Sequence, residues 1–299
     1  MQPTVLAPFT ARDGENLAVY DWPLDEWTLG LGLEPAPPRA LVLMVHGLGE
    51  HVGRYANVAH KLLDWGFAVR AYDQRGHGES GGARGVLPSD DALLEDLAEI
   101  VDDTRRHSLQ PEGVTEPLPL ILLGHSLGGL VTSRFVSLGL RPVDGLVLSS
   151  PALDAGLNPL QKLLLAVLPR VAPDLTVGNG LDERYLSHDP QVLAAYRADR
   201  LVHNRISARL GRFIADNGPP TIEAAARWST PTLLLYAGAD RLVNPAGSRA
   251  FARAAATSAQ VKPGMVTSQC FDGLYHELFN EQFATPVFDA LKAWLDARF

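Results

Sequence analysis

Short apolar runs without alternation stand at positions 41–45, 118–123, 145–149 and 231–236, each too short for a helix. Unbroken runs of this length fit strands buried on both faces, the habit of a parallel sheet. Residues 67–72 and 266–271 add two more strand-like segments. Between them the period changes. Tyr55, Val58, Leu62 and Trp65 recur at helical spacing in 54–65. Leu93, Leu97, Ile100 and Val101 share one face of an amphipathic helix over 89–107. Further helices are expected at 127–138, with Gly139 as the stop, at 245–256, and at 286–298, with proline in the first turn. Strands alternating with helices predict an α/β fold, a mostly parallel central sheet with helices on both faces.

The rhythm breaks twice. Near the start, Asp13-Gly14 between strand-like runs predicts a hairpin within 10–22, and Glu34-Pro35-Ala36-Pro37-Pro38 reads as a stiff connector. From Pro151 to Trp228 the chain reads as helices and loops without clear strands. The expected organisation is one core in two parts, 1–150 and 229–299, interrupted by a helical cap at 151–228. In the cap, Asn158 is an N-cap and Pro159 opens a helix that Leu160, Leu163, Leu164, Leu165, Val167 and Leu168 make apolar nearly all round. Such a helix is either packed or faces lipid.

Composition narrows the function classes. At 299 residues, one large domain with an insertion is favoured over two domains. A formal net charge of −8 argues against a nucleic-acid partner, since phosphate binding needs a basic face. Cys270 is the single cysteine, so no intrachain disulfide forms, and its strand-like setting suggests a buried structural thiol. Residues 1–9 lack a basic segment followed by an apolar core, and no apolar run approaches the ~18 residues that span a bilayer. The expectation is a soluble, cytoplasmic chain; nothing in the pattern specifies an oligomeric state.

Candidate chemistry begins at Gly124-His125-Ser126-Leu127-Gly128, which follows the 118–123 strand directly. A strand, Gly-x-Ser-x-Gly, then a helix is the pattern of a turn that pushes a nucleophilic serine out of the sheet. Gly124 and Gly128 are expected where a Cβ would strike a neighbouring element. A serine hydroxyl needs a base, and the base an orienting carboxylate. In this architecture the order is serine, acid, histidine, in loops after late strands. Asp240 follows the 231–236 strand and His276 follows 266–271. Asp272 and Glu277 are rival carboxylates in the histidine's own loop. Oxyanion donors are expected from the backbone N–H of Leu127, at the helix start, and of Leu48, in the glycine-containing His46-Gly47-Leu48-Gly49 loop. His46, His51, His77 and His125 fall in motif loops, but without the flanking spacing of metal ligands, so no metal is expected. Asp73 to Ser80 reads as a structural loop beneath the site.

With these residues assembled, the chain resembles an α/β-hydrolase of the monoacylglycerol lipase and lysophospholipase group. The resemblance rests on His46-Gly-Leu-Gly-Glu-His-Val-Gly-Arg-Tyr55, Tyr72-Asp-Gln-Arg-Gly-His-Gly-Glu-Ser80, Gly124-His-Ser-Leu-Gly-Gly129, Ala237-Gly-Ala-Asp-Arg-Leu242 and Tyr275-His276-Glu277. It implies an α/β-hydrolase fold, Ser126 as nucleophile, His276 as base, Asp240 as orienter, and no cofactor. It also implies that Glu50, Arg54 and Tyr196 shape a head-group pocket; the alternative for Glu50 and Arg54 is an internal ion pair at i, i+4. Leu160 and Leu164 are expected to line an acyl channel, with the cap touching membranes or lipid aggregates. The implied activity is hydrolysis of a single-chain acyl ester, monoacylglycerol first, with lysophospholipid or a broad range of carboxylic esters as alternatives. A proline-type aminopeptidase would need cap carboxylates, for which Asp182 and Glu183 stand available. A non-catalytic binding protein on the same core is the alternative of another class.

Overall fold

The computed structural model describes residues 3–34, 36–107, 118–156 and 159–299, without the side chains of His107, Pro159, Leu160 and Lys162. The expected N-cap at Asn158, the Pro35 position of the connector and the channel role of the Leu160 side chain therefore lie outside the described residues.

Eight strands build one sheet: β1 (Thr4–Val5), β2 (Val19–Trp22), β3 (Leu41–Val45), β4 (Ala68–Tyr72), β5 (Leu120–His125), β6 (Gly145–Ser149), β7 (Thr232–Ala237) and β8 (Val266–Phe271). Their spatial order is β1-β2-β4-β3-β5-β6-β7-β8. The β1–β2 and β2–β4 pairs are antiparallel and all later pairs parallel. The fold is that of the α/β-hydrolases, as expected.

Unbroken apolar strands are explained by burial on both faces. Leu41, Leu43 and Val45 of β3 enter one core with Leu120 and Leu122 of β5. Val42, Met44, Ile121 and Leu123 enter the opposite core. Each fully buried aliphatic side chain contributes about 1.5–3 kcal/mol, so the central strands are the hardest part to disrupt. Helices α1 (Leu24–Gly30), α2 (Ala56–Asp64), α3 (Ala92–His107) and α4 (Leu127–Ser137) are connected through the first part of the sheet. After β6 come α5 (Pro159–Val171), α6 (Pro190–Ala198) and α7 (Ala208–Ala224); α8 (Pro245–Thr257) and α9 (Thr285–Asp296) complete the core.

Several expectations shift. The 54–65 helix is a 3-10 turn, Val52–Tyr55, followed by α2, and the strand placed at 118–123 runs on to His125 because Gly124 pairs with Val45. The segment after β6 is not purely helical. Thr176–Gly178 pairs antiparallel with Arg205–Ser207, a ribbon whose three-residue strands are too short to show alternation. Cys270 is only half-buried, because β8 is the sheet's edge. The N-terminal hairpin forms, Phe9–Thr10 against Asn16–Leu17, with Gly14 at φ +90° in its turn.

The topology places the site. From β3 the chain steps to β4 on one side, then returns to β5 on the other. That reversal leaves a crevice at the carboxyl ends of β3 and β5, where open α/β sheets bind their ligands.

Candidate active site

Ser126 occupies the turn between β5 and α4 at φ 53°, ψ −116°. A side-chain-bearing residue there stores on the order of 1–3 kcal/mol of strain. Neighbours hold it in place. Its N–H donates to Ser149 O at 3.0 Å, and its carbonyl accepts from Leu130 N at 3.0 Å and Ala152 N at 2.9 Å. The flanking glycines allow this packing. A Cβ on Gly124 would lie 2.3 Å from Thr132 Oγ1, and one on Gly128 would lie 2.1 Å from Val45 O.

His276 and Asp240 meet, with Nδ1 2.7 Å from Oδ2 and side chains 5% and 3% exposed. Oδ1 of Asp240 accepts from the Leu242 and Val243 amides at 2.9 and 3.0 Å. Burial works to raise the Asp240 pKa, but the His276 ring and these amides outweigh it, so it lies below the usual carboxylate value. For His276, burial opposes the charged ring and the Asp240 carboxylate outweighs it, so its pKa lies above the ordinary histidine value. With the proton on Nδ1 held by Asp240, Nε2 is the basic atom. The histidine loop is pinned from the segment after β6: His276 N donates to Tyr185 O at 3.3 Å and Glu277 N to Leu186 O at 2.8 Å. The ring of His125, the residue before Ser126, lies with its centroid 4.8 Å from that of His276. Burial, then the neighbouring His276, pushes the His125 pKa down to about 4. It is neutral at physiological pH.

The rival carboxylates are engaged elsewhere. Asp272 accepts from the Cys270 thiol at 3.2 Å. Glu277 takes a two-point bond from the Arg54 guanidinium, 2.7 Å each. Arg54 also donates to Glu50 Oε2 at 2.5 Å, and its Cζ lies 4.8 Å from the Tyr196 ring centroid. Glu50 Oε1 accepts from Tyr55 Oη and from the Gly47 N–H, both at 2.6 Å. Glu50, Arg54 and Tyr196 thus come together in one cluster that braces the loop after β3.

The glycines of that loop sit in close packing. A Cβ on Gly47 would meet Glu50 Oε1 at 2.6 Å and the Ser126 Cβ at 3.2 Å. Gly49, at φ +76°, passes so close to His203 O that a Cβ would lie 2.3 Å away. The 73–80 segment, expected as a structural loop beneath the site, clamps this loop through contacts that the sequence did not reveal. Gln74 donates through its backbone N–H to His46 Nε2 at 2.9 Å and through its side chain to His46 O at 2.7 Å. Asp73 accepts from Val52 N at 2.8 Å and Glu79 N at 2.9 Å. The position of Gln74 inside a motif loop was the only available signal. His46 is buried, and burial lowers its pKa, consistent with a neutral ring accepting from Gln74.

Ser126, Leu48 and Leu127 are among the residues lining a cavity of about 360 Å³. Its walls are mainly apolar: Leu164, Leu165 and Leu168 of α5, Leu175 beside the ribbon and Val177 within it, and Ile214 of α7. Glu50, Arg54 and Tyr196 are not among the residues lining it. On α5, Leu164, Val167 and Val171 are also 52%, 53% and 74% exposed. Among the described residues no helix is long and apolar enough to cross a membrane, and no group of three or more His, Cys, Asp or Glu side chains is placed to hold a metal ion.

A doubly covered sheet with a serine on a strained strand–helix turn, a buried histidine–carboxylate pair and an adjoining apolar cavity defines a serine hydrolase of the α/β type. Comparison with known proteins agrees. The model of the serine aminopeptidase S33 family matches residues 36–283, and the chain belongs to that family. It is 36% identical over 275 residues to a monoacylglycerol lipase of Mycolicibacterium smegmatis, covering 91% of each chain. It is 30% identical over 269 residues to the monoglyceride lipase of Mus musculus, covering 87% of this chain and 84% of that one. Among solved structures, the monoacylglycerol lipase of Paleococcus ferrophilus superposes with a TM-score of 0.76 at 35% identity, covering 88% of this chain and 96% of that one. The protein is a serine ester hydrolase similar to monoacylglycerol lipases.

Proposed function

We propose that the protein hydrolyses single-chain acyl esters, monoacylglycerol foremost, through Ser126, His276, Asp240 and an acyl-enzyme. The observation that carries this reading is the mainly apolar cavity that Ser126 lines. It offers an acyl tail a dry wall, and the similarity to monoacylglycerol lipases supports the glycerol head group.

In the proposed sequence His276 Nε2 takes the Ser126 proton as Oγ attacks the ester carbonyl. Asp240 stabilises the resulting imidazolium without itself being protonated. The backbone N–H groups of Leu48 and Leu127 stabilise the tetrahedral oxyanion. Collapse releases the alcohol with the proton from His276 and leaves the acyl group on Ser126. Water, deprotonated by His276, then releases the fatty acid and restores the serine. Glu50, Arg54 and Tyr196 act by holding the Leu48 loop through Gly47.

Residues 151–228 serve as a cap over this centre. The exposed apolar side chains of Leu164, Leu175, Val177 and Leu181 also line the cavity, so its mouth is continuous with an outer apolar patch. Large exposed apolar patches mark interaction surfaces. The cap is proposed to rest peripherally on lipid aggregates, from which a substrate tail enters.

An aminopeptidase reading is disfavoured by the carboxylates it requires. Asp182 is bound by Arg184 at 2.6 Å and Glu183 by Arg197 at 2.5 Å. Neither lines the cavity. The test is a panel of monoacylglycerols, lysophospholipids, short esters and prolyl amides assayed with wild type and Ser126→Ala. Monoacylglycerol is expected to give the highest kcat/KM and the variant to lose it. Preferential cleavage of prolyl amides, or a variant as active as wild type, would overturn the proposal.

A further inference from the structure

A second cleft, of about 780 Å³, lies between α5, α7 and α8. It is larger than the cavity at Ser126, and the proposed reaction does not use it. Leu153, Ile222, Ala246 and Ala250 are among its apolar residues, and Asp154, Arg170, Arg212, Asp216 and Glu223 are its charged ones. The two spaces are neighbours. Ala155, Leu165 and Ile214 line both, so each of these side chains presents a surface to either side.

Leu165 is the shared residue on α5, and its seat is specific. It is half-buried against α7, where an added Cβ on Gly211 would come within 3.0 Å of its Cδ2. The helices approach closely here because Gly211 has no side chain, and the leucine fills the gap between the cavities. No polar group of the partition needs a partner when that wall is thinned.

We propose that Leu165, with Ile214 opposite, is the partition that sets the longest acyl chain the enzyme fully accommodates, and that the second cleft is a latent extension of the acyl site. This rests on the ester-hydrolase reading given above and deepens it. In the wild type a growing tail gains burial until it meets the partition. Further methylenes then stay wet and add nothing. With the partition thinned, the tail end enters the second cleft and gains burial there, at about fourfold in kcat/KM per methylene.

The test is a homologous series of p-nitrophenyl acyl esters, short to long, read as kcat/KM. This series makes the result independent of the natural head group. Wild type should rise with length and level off at a defined chain length. Leu165→Ala should continue to rise beyond that length by about fourfold per methylene. Ala246→Trp occupies the second cleft from the α8 side at an exposed position. Alone it should change nothing; in the Leu165→Ala background it should restore the original limit. Ile214→Ala thins the same partition from α7, and serves if Leu165→Ala fails to fold. An active Leu165→Ala or Ile214→Ala enzyme with an unmoved limit overturns the proposal. So does a moved limit that Ala246→Trp leaves in place. A wild type that turns over none of the esters overturns the hydrolase reading first, and this inference with it.

Discussion

Replacing Arg54 by Met tests how the site is held together. The guanidinium sits between two carboxylates, 2.5 Å from Glu50 and 2.7 Å from Glu277, with all three side chains under a tenth exposed. Burial acts against the Glu50 charge, but Arg54 and the nearby histidines outweigh it and hold its pKa below the usual value. Removing the cation leaves two buried carboxylates facing each other. Breaking a buried pair in this way costs about 3–5 kcal/mol. For 299 residues, at about 2.1 cal/mol/K per residue, that is a Tm lower by about 5–8 °C. The loss should depend on pH with a definite sign. In the wild type the Glu50 contribution is present above the unfolded carboxylate pKa and lost only as pH falls through the lower folded value. In Arg54→Met an unpaired buried carboxylate has a raised folded value, so the variant loses stability as pH rises through the window between the unfolded and raised values. The gap between wild type and variant should therefore be wider at about pH 8 than at about pH 5. Urea denaturation of both proteins at the two pH values measures it. A gap under about 1 kcal/mol, the scale of exposed pairs, or one equal at both pH values, would refute the argument. Since Glu50 also anchors the Gly47 N–H, kcat should fall more than KM rises.

Further outcomes follow from the same geometry. Because Asp240 raises the His276 pKa, the acid limb of kcat/KM should lie above about 6.5; Asp240→Asn should move it to lower pH and cut kcat by about 10³–10⁴-fold, and an unmoved limb would count against the pairing. Gly128→Ala places a methyl 2.1 Å from Val45 O, so it should cost at least about 1–3 kcal/mol in urea denaturation; wild-type stability would show that α4 sits less tightly on β3 than described. Leu164→Ser combined with Leu168→Ser should weaken binding to lipid vesicles and turnover of long-chain esters by about tenfold or more; unchanged values of both would remove the lipid role from α5.

Much of the fold was legible because its signals are local. Val42, Met44, Ile121 and Leu123 stand in runs that only a doubly covered strand explains. Ser126 could be singled out because two glycines and a preceding strand leave few other readings of the turn. The Asp240–His276 contact joins loops 36 residues apart, and chain order pointed to both. What stayed hidden depends on distant partners. Nothing near Glu277 in sequence reveals that Arg54, 223 residues away, would claim its carboxylate. The ribbon of Thr176–Gly178 and Arg205–Ser207 is too short for periodicity to register. The two cavities are properties of the gap between α5 and α7, which depends on Gly211 meeting Leu165, a contact with no signature along the chain.

The central claim is that the Ser126 oxygen carries the acyl group during turnover. Wild type and Ser126→Ala, each mixed with a slowly released acyl ester, acid-quenched and digested for mass spectrometry, address it directly. The account predicts one acyl adduct, on the wild-type peptide containing Ser126, and neither adduct nor turnover in the variant. An adduct on another residue, or full turnover by Ser126→Ala, would contradict it.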